Sequence, residues 1–263
     1  MNGIDNILEF FGGRGGGGGP WNFNGSDSGN PKQWKNQPES NRELATFGAG
    51  CYWGTEKFYA TEFSEKYPGA ILGTSVGFMN KDPNAPPDPS YLQICTRDTG
   101  YVEVAHILFD NSKVSYRELV RFFYTFHDPT TMNRQGNDSG TQYASVIFAH
   151  SQKQRDTASL ISKDVDHNIQ NGKINSFMGQ GVVTQIHDAN DYFPAQRDHQ
   201  RYLEGNPFGY CNHTKYFEWE NIEWSYQTDY NLFKFISNIA NRFLNYKIGK
   251  IIYFLDLWYE LFN

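Results

Sequence analysis

Cysteine is scarce in this chain. Its 263 residues hold three, Cys51, Cys95 and Cys211, with no Cys-x-x-Cys pair. That pattern is too sparse for a disulfide-stapled scaffold and supplies no cysteine zinc site. Positive charge is also short: 23 Lys and Arg face 29 Asp and Glu, for a net charge of −6. A general nucleic-acid footprint is therefore not expected. No uncharged apolar run approaches the ~18–20 residues of a membrane span. No basic stretch followed by an apolar core opens the chain, so no secretory signal is read. The expected setting is cytoplasmic, where thiols stay reduced. What the chain has in quantity is aromatic residues, with Phe 21, Tyr 17 and Trp 6. Such side chains supply enough apolar area for a substantial core.

Composition divides the chain into three. Residues 1–42 carry a glycine run from Gly12 to Gly19 and then Asn, Ser, Pro and Lys in excess. Such a segment buries too little apolar surface to offset its ordering entropy, and a disordered appendage is expected. Only Arg14 interrupts the glycine run, so an RNA-binding reading finds little support. Residues 43–214 read as the functional domain. Strands are expected at Leu44–Phe47, Ile71–Phe78, Val102–Phe109, Ser145–Ala149 and Val182–Ile186. Helices are expected at Trp53–Lys66, Tyr116–Phe126, Gln152–His167 and Gln196–Glu204, with Ser115 capping the second. The elements alternate, but the Pro/Gly-bearing loops at 79–91 and 127–142 are long. That favours an α+β domain with a mixed sheet flanked by helices over a doubly wound one. Residues 215–263 place Leu232, Ile236, Ile239, Phe243 and Tyr246 at helical spacing, then Ile251, Phe254, Leu257, Trp258 and Leu261. An aromatic-rich helical extension is expected there, packed on the core or on a second copy rather than on a membrane surface.

Four segments carry chemistry. Gly48-Ala49-Gly50-Cys51-Tyr52-Trp53-Gly54 sets one cysteine at a strand-to-helix junction, where unpaired backbone N–H groups favour a thiolate and lower its pKa. The flanking glycines allow a sharp turn and a close ligand, and the aromatic pair offers an apolar cradle. The polar run from His127 to Tyr143 lies between two apolar elements. It is either a self-bonded structural loop or a ligand site in which Asp138 and Tyr143 orient a polar atom. Glu103 opens a strand. It is an exposed carboxylate or, turned into a dry pocket, an acid with a raised pKa. Cys211 in Pro207-Phe208-Gly209-Tyr210-Cys211 is either idle or able to swing to another thiol.

Together these segments resemble the A-type peptide methionine-sulfoxide reductases, over roughly residues 44–211. Gly50-Cys51-Tyr52-Trp53-Gly54 is similar to that family's signature, which usually has Phe at the Tyr52 position. The 127–143 stretch, Thr99-Gly100 with Glu103-Val104, His199-Gln200, Tyr202-Leu203 and Gly209-Tyr210-Cys211 match in order. The resemblance implies a ferredoxin-like two-layer core and reduction of the S epimer of methionine sulfoxide, free or within proteins. Cys51 is implied as nucleophile, Glu103 as general acid and Cys211 as the resolving thiol. Tyr52 and Trp53 would hold the substrate methyl, with Phe78 filling the pocket, while Glu103 and Tyr143 would hydrogen-bond its oxygen and Asp138 would position that network. Thioredoxin is the implied reductant, with no metal or organic cofactor.

The chain departs from the pattern in places. Phe78 stands where a second sulfoxide-binding Tyr is usual, and losing such a donor costs about 10²-fold where it is a main contact. Tyr101 replaces a usual His and Ala144 a usual Arg. Asn212-His213-Thr214 replaces a glycine-rich tail. An alternative reading is therefore a binding protein that keeps the pocket and turns over poorly. A hydrolase pairing Cys51 with His127 or His199 lacks the spacing for a positioned imidazole and oxyanion hole.

Overall fold

The side chains of β1 (Arg42–Ala49) alternate between two faces, and each face has its own cover. Phe47 stacks on Tyr59, Tyr116 and Phe123 at ring separations of 5.3, 6.3 and 5.2 Å, all from the helical layer. Its neighbour Thr46 turns the other way and bonds His106 Nδ1 at 2.7 Å and His150 Nε2 at 2.8 Å. The computed structural model describes residues 30–87, 89–90, 93–94, 99–177, 181–222 and 224. The chain divides after Asn221 into two units, and the first holds the sheet and Cys51.

After β1 come α1 (Tyr52–Phe58), β2 (Ile71–Asn80), β3 (Tyr101–Asp110), α2 (Tyr116–Phe123) and the short hairpin β4 (Arg134–Gln135) and β5 (Asp138–Ser139). Then follow β6 (Ser145–Ala149), α3 (Gln152–Gln170), β7 (Gln185–Asp188), β8 (Tyr192–Pro194) and α4 (Tyr202–Gly205). Six strands form one sheet in the order β7-β6-β1-β3-β2-β8, in which only β6 and β7 run parallel. The architecture is α+β with a mixed sheet, as the long loops between alternating elements predict. Central β3 is buried from Tyr101 to Phe109. Val102 and Val104 join Met79, Val146, Phe148 and Tyr192 on one face. Tyr101 joins Cys51, Tyr52, Val76, Phe78 and Ile94 on the other. The register pairs Phe78 with Glu103.

The helices form because their apolar residues share a stripe. In α3, Ala158, Ile161, Val165 and Ile169 are buried at spacings of three and four, and Ser151 caps the first turn by accepting from Gln154 N. In α2, which ends at Phe123 and not at the expected Phe126, Phe122 meets Tyr59 at 5.2 Å and Phe63 at 5.1 Å, and Phe126 just beyond it stacks on Phe58 at 4.8 Å. Each such pair contributes about 0.5–1.5 kcal/mol beyond area burial. α1 runs on through a π-helical turn, Tyr59–Phe63, into Ser64–Lys66. Ser115 sits at the expected N-cap of α2, but its hydroxyl bonds the Glu118 carboxylate at 2.6 Å instead of a backbone N–H.

Three expectations need correction. Residues 30–41 are part of the packed domain, not of a disordered appendage. They form the 3-10 turns Pro31–Gln33 and Pro38–Ser40, Asn36 Oδ1 accepts from Leu44 N at 2.8 Å, and Trp34 stacks on His106 at 5.6 Å. One aromatic ring and one amide thus tie down a segment whose composition reads as loose. Residues 1–29 lie outside the described residues. The expected helix Gln196–Glu204 is a 3-10 turn, Arg197–His199, followed by α4, because Arg201 takes a left-handed conformation with φ 53°. Residues 215–218 are not helical: Tyr216 N donates to Thr125 O at 2.7 Å, and a 3-10 turn, Trp219–Asn221, follows. The helical spacings expected between 225 and 263 lie outside the described residues.

Candidate active site

β1 ends in a turn that delivers Cys51 to the N-cap of α1. Gly50 makes that turn with φ +90°, and a Cβ there would meet Gln135 Cγ at 2.8 Å. Backbone N–H groups of Trp53 and Gly54 bond the Cys51 sulfur and pull its pKa down. Burial outweighs them and pushes the thiol up, with Glu103 and Asp138 adding in the same direction. This reverses the expectation that the helix terminus lowers the pKa. At 7% exposure, next to two carboxyl groups, the terminus is the smaller influence.

Glu103 is turned inward beside Cys51, not to solvent. It is 2% exposed, and Oε2 accepts from Tyr52 N at 3.2 Å. Burial raises its pKa to about 8; the Tyr52 N–H opposes this and the Asp138 charge assists it. Glu103 is therefore a neutral acid at pH 7, holding a proton it can give. Asp138, on β5, is also raised, by burial, against bonds from Tyr210 and Asn212. Tyr143 closes the 3-10 turn Thr141–Tyr143 and is half-buried. Its neighbour Ala144 and Glu103 both turn carbonyls toward Gly48. In the 127–143 run the self-bonded reading holds at the base, and Asp138 is bonded by Tyr210 and Asn212. Asp128 accepts from Thr130 N and Oγ1 at 2.8 and 2.6 Å, so the base is self-bonded. Its hairpin then carries Asp138 forward.

Aromatic rings wall the other side. Tyr52 lies 6.1 Å from Trp53 and 5.8 Å from Phe78, and its hydroxyl bonds His199 Nδ1 at 2.7 Å. Trp53 stacks between His199 at 5.5 Å and Tyr202 at 3.9 Å. A cavity of about 290 Å³ opens beside them, lined by Phe78, Pro89, Ser90, Phe193, Pro194, Ala195, Gln196 and His199. Cys51 is not in its wall but packs with Tyr52 and Phe78. Tyr101, of the same cluster, donates to Pro86 O at 2.7 Å and so ties that residue to β3.

Cys51 is buried, Cys211 is half-buried, and both are free thiols. The residues around Cys211 are bonded to the site: Tyr210 Oη and Asn212 Nδ2 both donate to Asp138. His127 is placed away from chemistry, fully buried between Phe123 O at 2.7 Å and Ser145 Oγ at 2.8 Å. Cys95 lies outside the described residues. Among the described residues, no three His, Cys, Asp or Glu side chains gather as a metal site, and no helix is long and apolar enough to cross a membrane.

Two supports lie outside the four segments singled out for their chemistry. Glu56 is buried one helical turn beyond Tyr52, and its carboxyl accepts from Thr74 Oγ1 at 2.9 Å and Arg201 N at 3.0 Å. It thereby fixes the segment whose His199 and Tyr202 flank Trp53. Gln200 acts as a substitute strand residue, accepting from Val76 N at 2.8 Å and donating to Val76 O at 2.7 Å. His199-Gln200 is visible as a motif, but its work depends on β2, more than a hundred residues earlier.

The chain matches the family model for peptide methionine sulfoxide reductase over residues 43–229. It is 40% identical over 174 residues to the peptide methionine sulfoxide reductase MsrA of Methanoculleus marisnigri, covering 66% of this chain and 96% of that protein. A probable peptide methionine sulfoxide reductase of Schizosaccharomyces pombe is 36% identical over 181 residues, or 69% of this chain and 99% of the other. Among solved structures, the reduced form of Mxr1 from Saccharomyces cerevisiae aligns with a TM-score of 0.59 at 32% identity, covering 70% of this chain and 96% of that one. Methionine sulfoxide reductase A of Corynebacterium diphtheriae aligns at 0.52 with 34% identity, covering 67% and 79%. With the family model matched over most of its length and relatives at 36–40% identity, the chain belongs to the A-type peptide methionine sulfoxide reductase family.

Proposed function

We propose that this chain reduces the S epimer of methionine sulfoxide, free or in proteins, through Cys51, Glu103 and Cys211. The observation that carries the reading is a neutral, buried Glu103 tied to the residue after Cys51. A sulfoxide has a polar oxygen and an apolar methyl. Tyr52, Trp53 and Phe78 take the methyl, while Glu103 and Tyr143 hydrogen-bond the oxygen and Asp138 supports them. Glu103 gives its proton to the oxygen and recovers one from the Cys51 thiol. The Cys51 sulfur attacks the substrate sulfur. The hydroxyl then passes to Cys51 as the substrate S–O bond breaks. The substrate sulfur gains two electrons and leaves as methionine, and Cys51 becomes a sulfenic acid. The raised pKa values of both groups keep their protons in place until substrate arrives.

Cys211 then attacks the sulfenic acid, giving a Cys51–Cys211 disulfide and water, and thioredoxin reduces that disulfide by exchange. The balance closes with thiols alone. The same reading takes the core as a ferredoxin-like two-layer sandwich, supported by the antiparallel order β6-β1-β3-β2, and places the protein in the reducing cytoplasm. Incubation with each methionine sulfoxide epimer and dithiothreitol tests it. Methionine release from the S epimer alone, abolished by Cys51→Ser, is expected. Binding without release would replace it with a sulfoxide-binding role, for which the missing Phe78 hydroxyl is the structural ground.

A further inference from the structure

Residues 206–214 contain no helix or strand beyond a turn at Pro207 and Phe208, yet the neighbours of Cys211 are held at several points. Tyr210 Oη donates to Asp138 Oδ1 at 3.0 Å. Asn212 Nδ2 donates to Asp138 Oδ2 at 2.7 Å and to Gln135 O at 2.6 Å. His213 Nε2 lies 2.7 Å from Ala49 O. A carbonyl only accepts, so Nε2 carries the proton. Burial holds this imidazole down to about 4, neutral at pH 7, which suits a single N–H. Its buried Nδ1 has no hydrogen-bond partner and faces Gly54.

The anchors surround the reactive turn. Ala49 lies two residues before Cys51 and Gly54 three after it. Gln135 and Asp138 belong to the β4–β5 hairpin, whose Gln135 packs on Gly50. The turn, the hairpin and residues 210–213 are thus one bonded unit, with Cys211 suspended between its fixed points.

We propose that these contacts form a clamp that presents Cys211 to Cys51, with Tyr210, Asn212 and His213 as positioning residues for disulfide closure. The inference rests on Cys211 being the resolving thiol. In the step concerned, the Cys211 sulfur bonds to the Cys51 sulfur and the Cys51 S–O bond breaks. The hydroxyl leaves with the Cys211 proton as water; Cys211 is oxidised and the sulfenic sulfur reduced. A thiol on a loose segment reaches this geometry only occasionally, whereas a fixed one holds a high effective concentration. The clamp meets the substrate side through Asp138, which Tyr210 and Asn212 both hold, so its role is read from the closure step and not from the first.

A single-turnover experiment on the full chain separates the two steps. Enzyme is mixed with excess methionine S-sulfoxide without reductant. Methionine released, dimedone-trapped sulfenic acid and remaining thiols are then followed in time. Tyr210→Phe removes one bond from a side chain that is 46% exposed, and Asn212→Ala removes two more. In the double variant a methionine burst shows that the site is folded, whatever its rate, and closure is timed separately from the sulfenic acid left behind. Its sulfenic acid is expected to persist about tenfold longer, with Tyr210→Phe alone intermediate. Cys211→Ser serves as the reference in which sulfenic acid does not resolve. Closure at the parental rate in the double variant, with Cys211→Ser still blocked, overturns the clamp. Parental loss of sulfenic acid in Cys211→Ser overturns the resolving role itself and the clamp with it.

Discussion

The backbone N–H of Tyr52 donates to Glu103 Oε2 over 3.2 Å, which ties the buried acid to the residue that follows Cys51. Replacing Glu103 by Gln keeps an oxygen for that bond and removes the transferable proton. Turnover of methionine S-sulfoxide is expected to fall by about 10²–10⁴. The parental rate should itself fall as pH rises through about 8, where Glu103 loses its proton. Stability should move oppositely for the variant. The folded chain binds this proton more tightly than the unfolded one, whose carboxyl sits near its ordinary 4.5. The contribution is therefore full below about 4.5 and is lost as pH rises through about 8. Thermal melts at pH 9 should show Glu103→Gln more stable than the parent, with the gap closing at pH 5. A variant that is both inactive and less stable at pH 9 would contradict this assignment.

Phe78 is 4% exposed, pairs with Glu103 in the sheet and lies 5.8 Å from the Tyr52 ring. Phe78 lines the cavity of about 290 Å³, which offers room for a hydroxyl added to its ring. That space lets the group find water or substrate without overpacking the cluster. Phe78→Tyr is expected to raise kcat/KM for the sulfoxide by up to about 10²-fold, as a regained donor to developing charge on oxygen. Steady-state kinetics with dithiothreitol would check it, and an unchanged kcat/KM would show that Tyr143 already does this work.

The sheet was legible because its central strands are long apolar runs, and Ser145–Ala149 has the same bounds in sequence and structure. β8 was not, because Tyr192–Pro194 is three residues long and becomes a strand only by pairing with Gly77–Met79. Trp34 carries no local signal that it will stack on His106, which comes more than seventy residues later. At the site, Cys51, Glu103, Asp138 and Cys211 stood out through motif. The direction of the Cys51 shift did not, because it depends on burial and on carboxyl groups brought in by β3 and the hairpin. Supports such as Glu56 and His213 act through backbone groups far along the chain, and their residue types alone announce nothing.

Glu56 gives that last point a measurement. It is 1% exposed, and burial raises its pKa to about 7 against bonds from Thr74 and Arg201. Glu56→Ala leaves the Thr74 hydroxyl and the Arg201 N–H without this acceptor. The cost is expected at about 2 kcal/mol or more in urea unfolding. Because Arg201 sits between His199 and Tyr202, which stack on Trp53, the sulfoxide KM should rise more than kcat falls. Equal losses in kcat and kcat/KM would place Glu56 in the chemical step instead.

Gly54 tests the packing of the clamp from the opposite side. Alanine in a helix normally stabilises by roughly 0.5–1 kcal/mol relative to glycine. Here a Cβ would overlap His213 Nδ1 and stand 2.7 Å from Cε1. His213 cannot simply turn aside, because it is buried and its Nε2 holds Ala49 O. Overpacking of this kind costs about 1–3 kcal/mol, so the clash outweighs the helix gain. Gly54→Ala is therefore expected to lower Tm, and His213→Gly in the same chain should relieve the overlap and make the Gly54→Ala change favourable. A double-mutant cycle read by thermal melts measures that coupling, and additive effects would show that residue 54 and His213 do not press on one another.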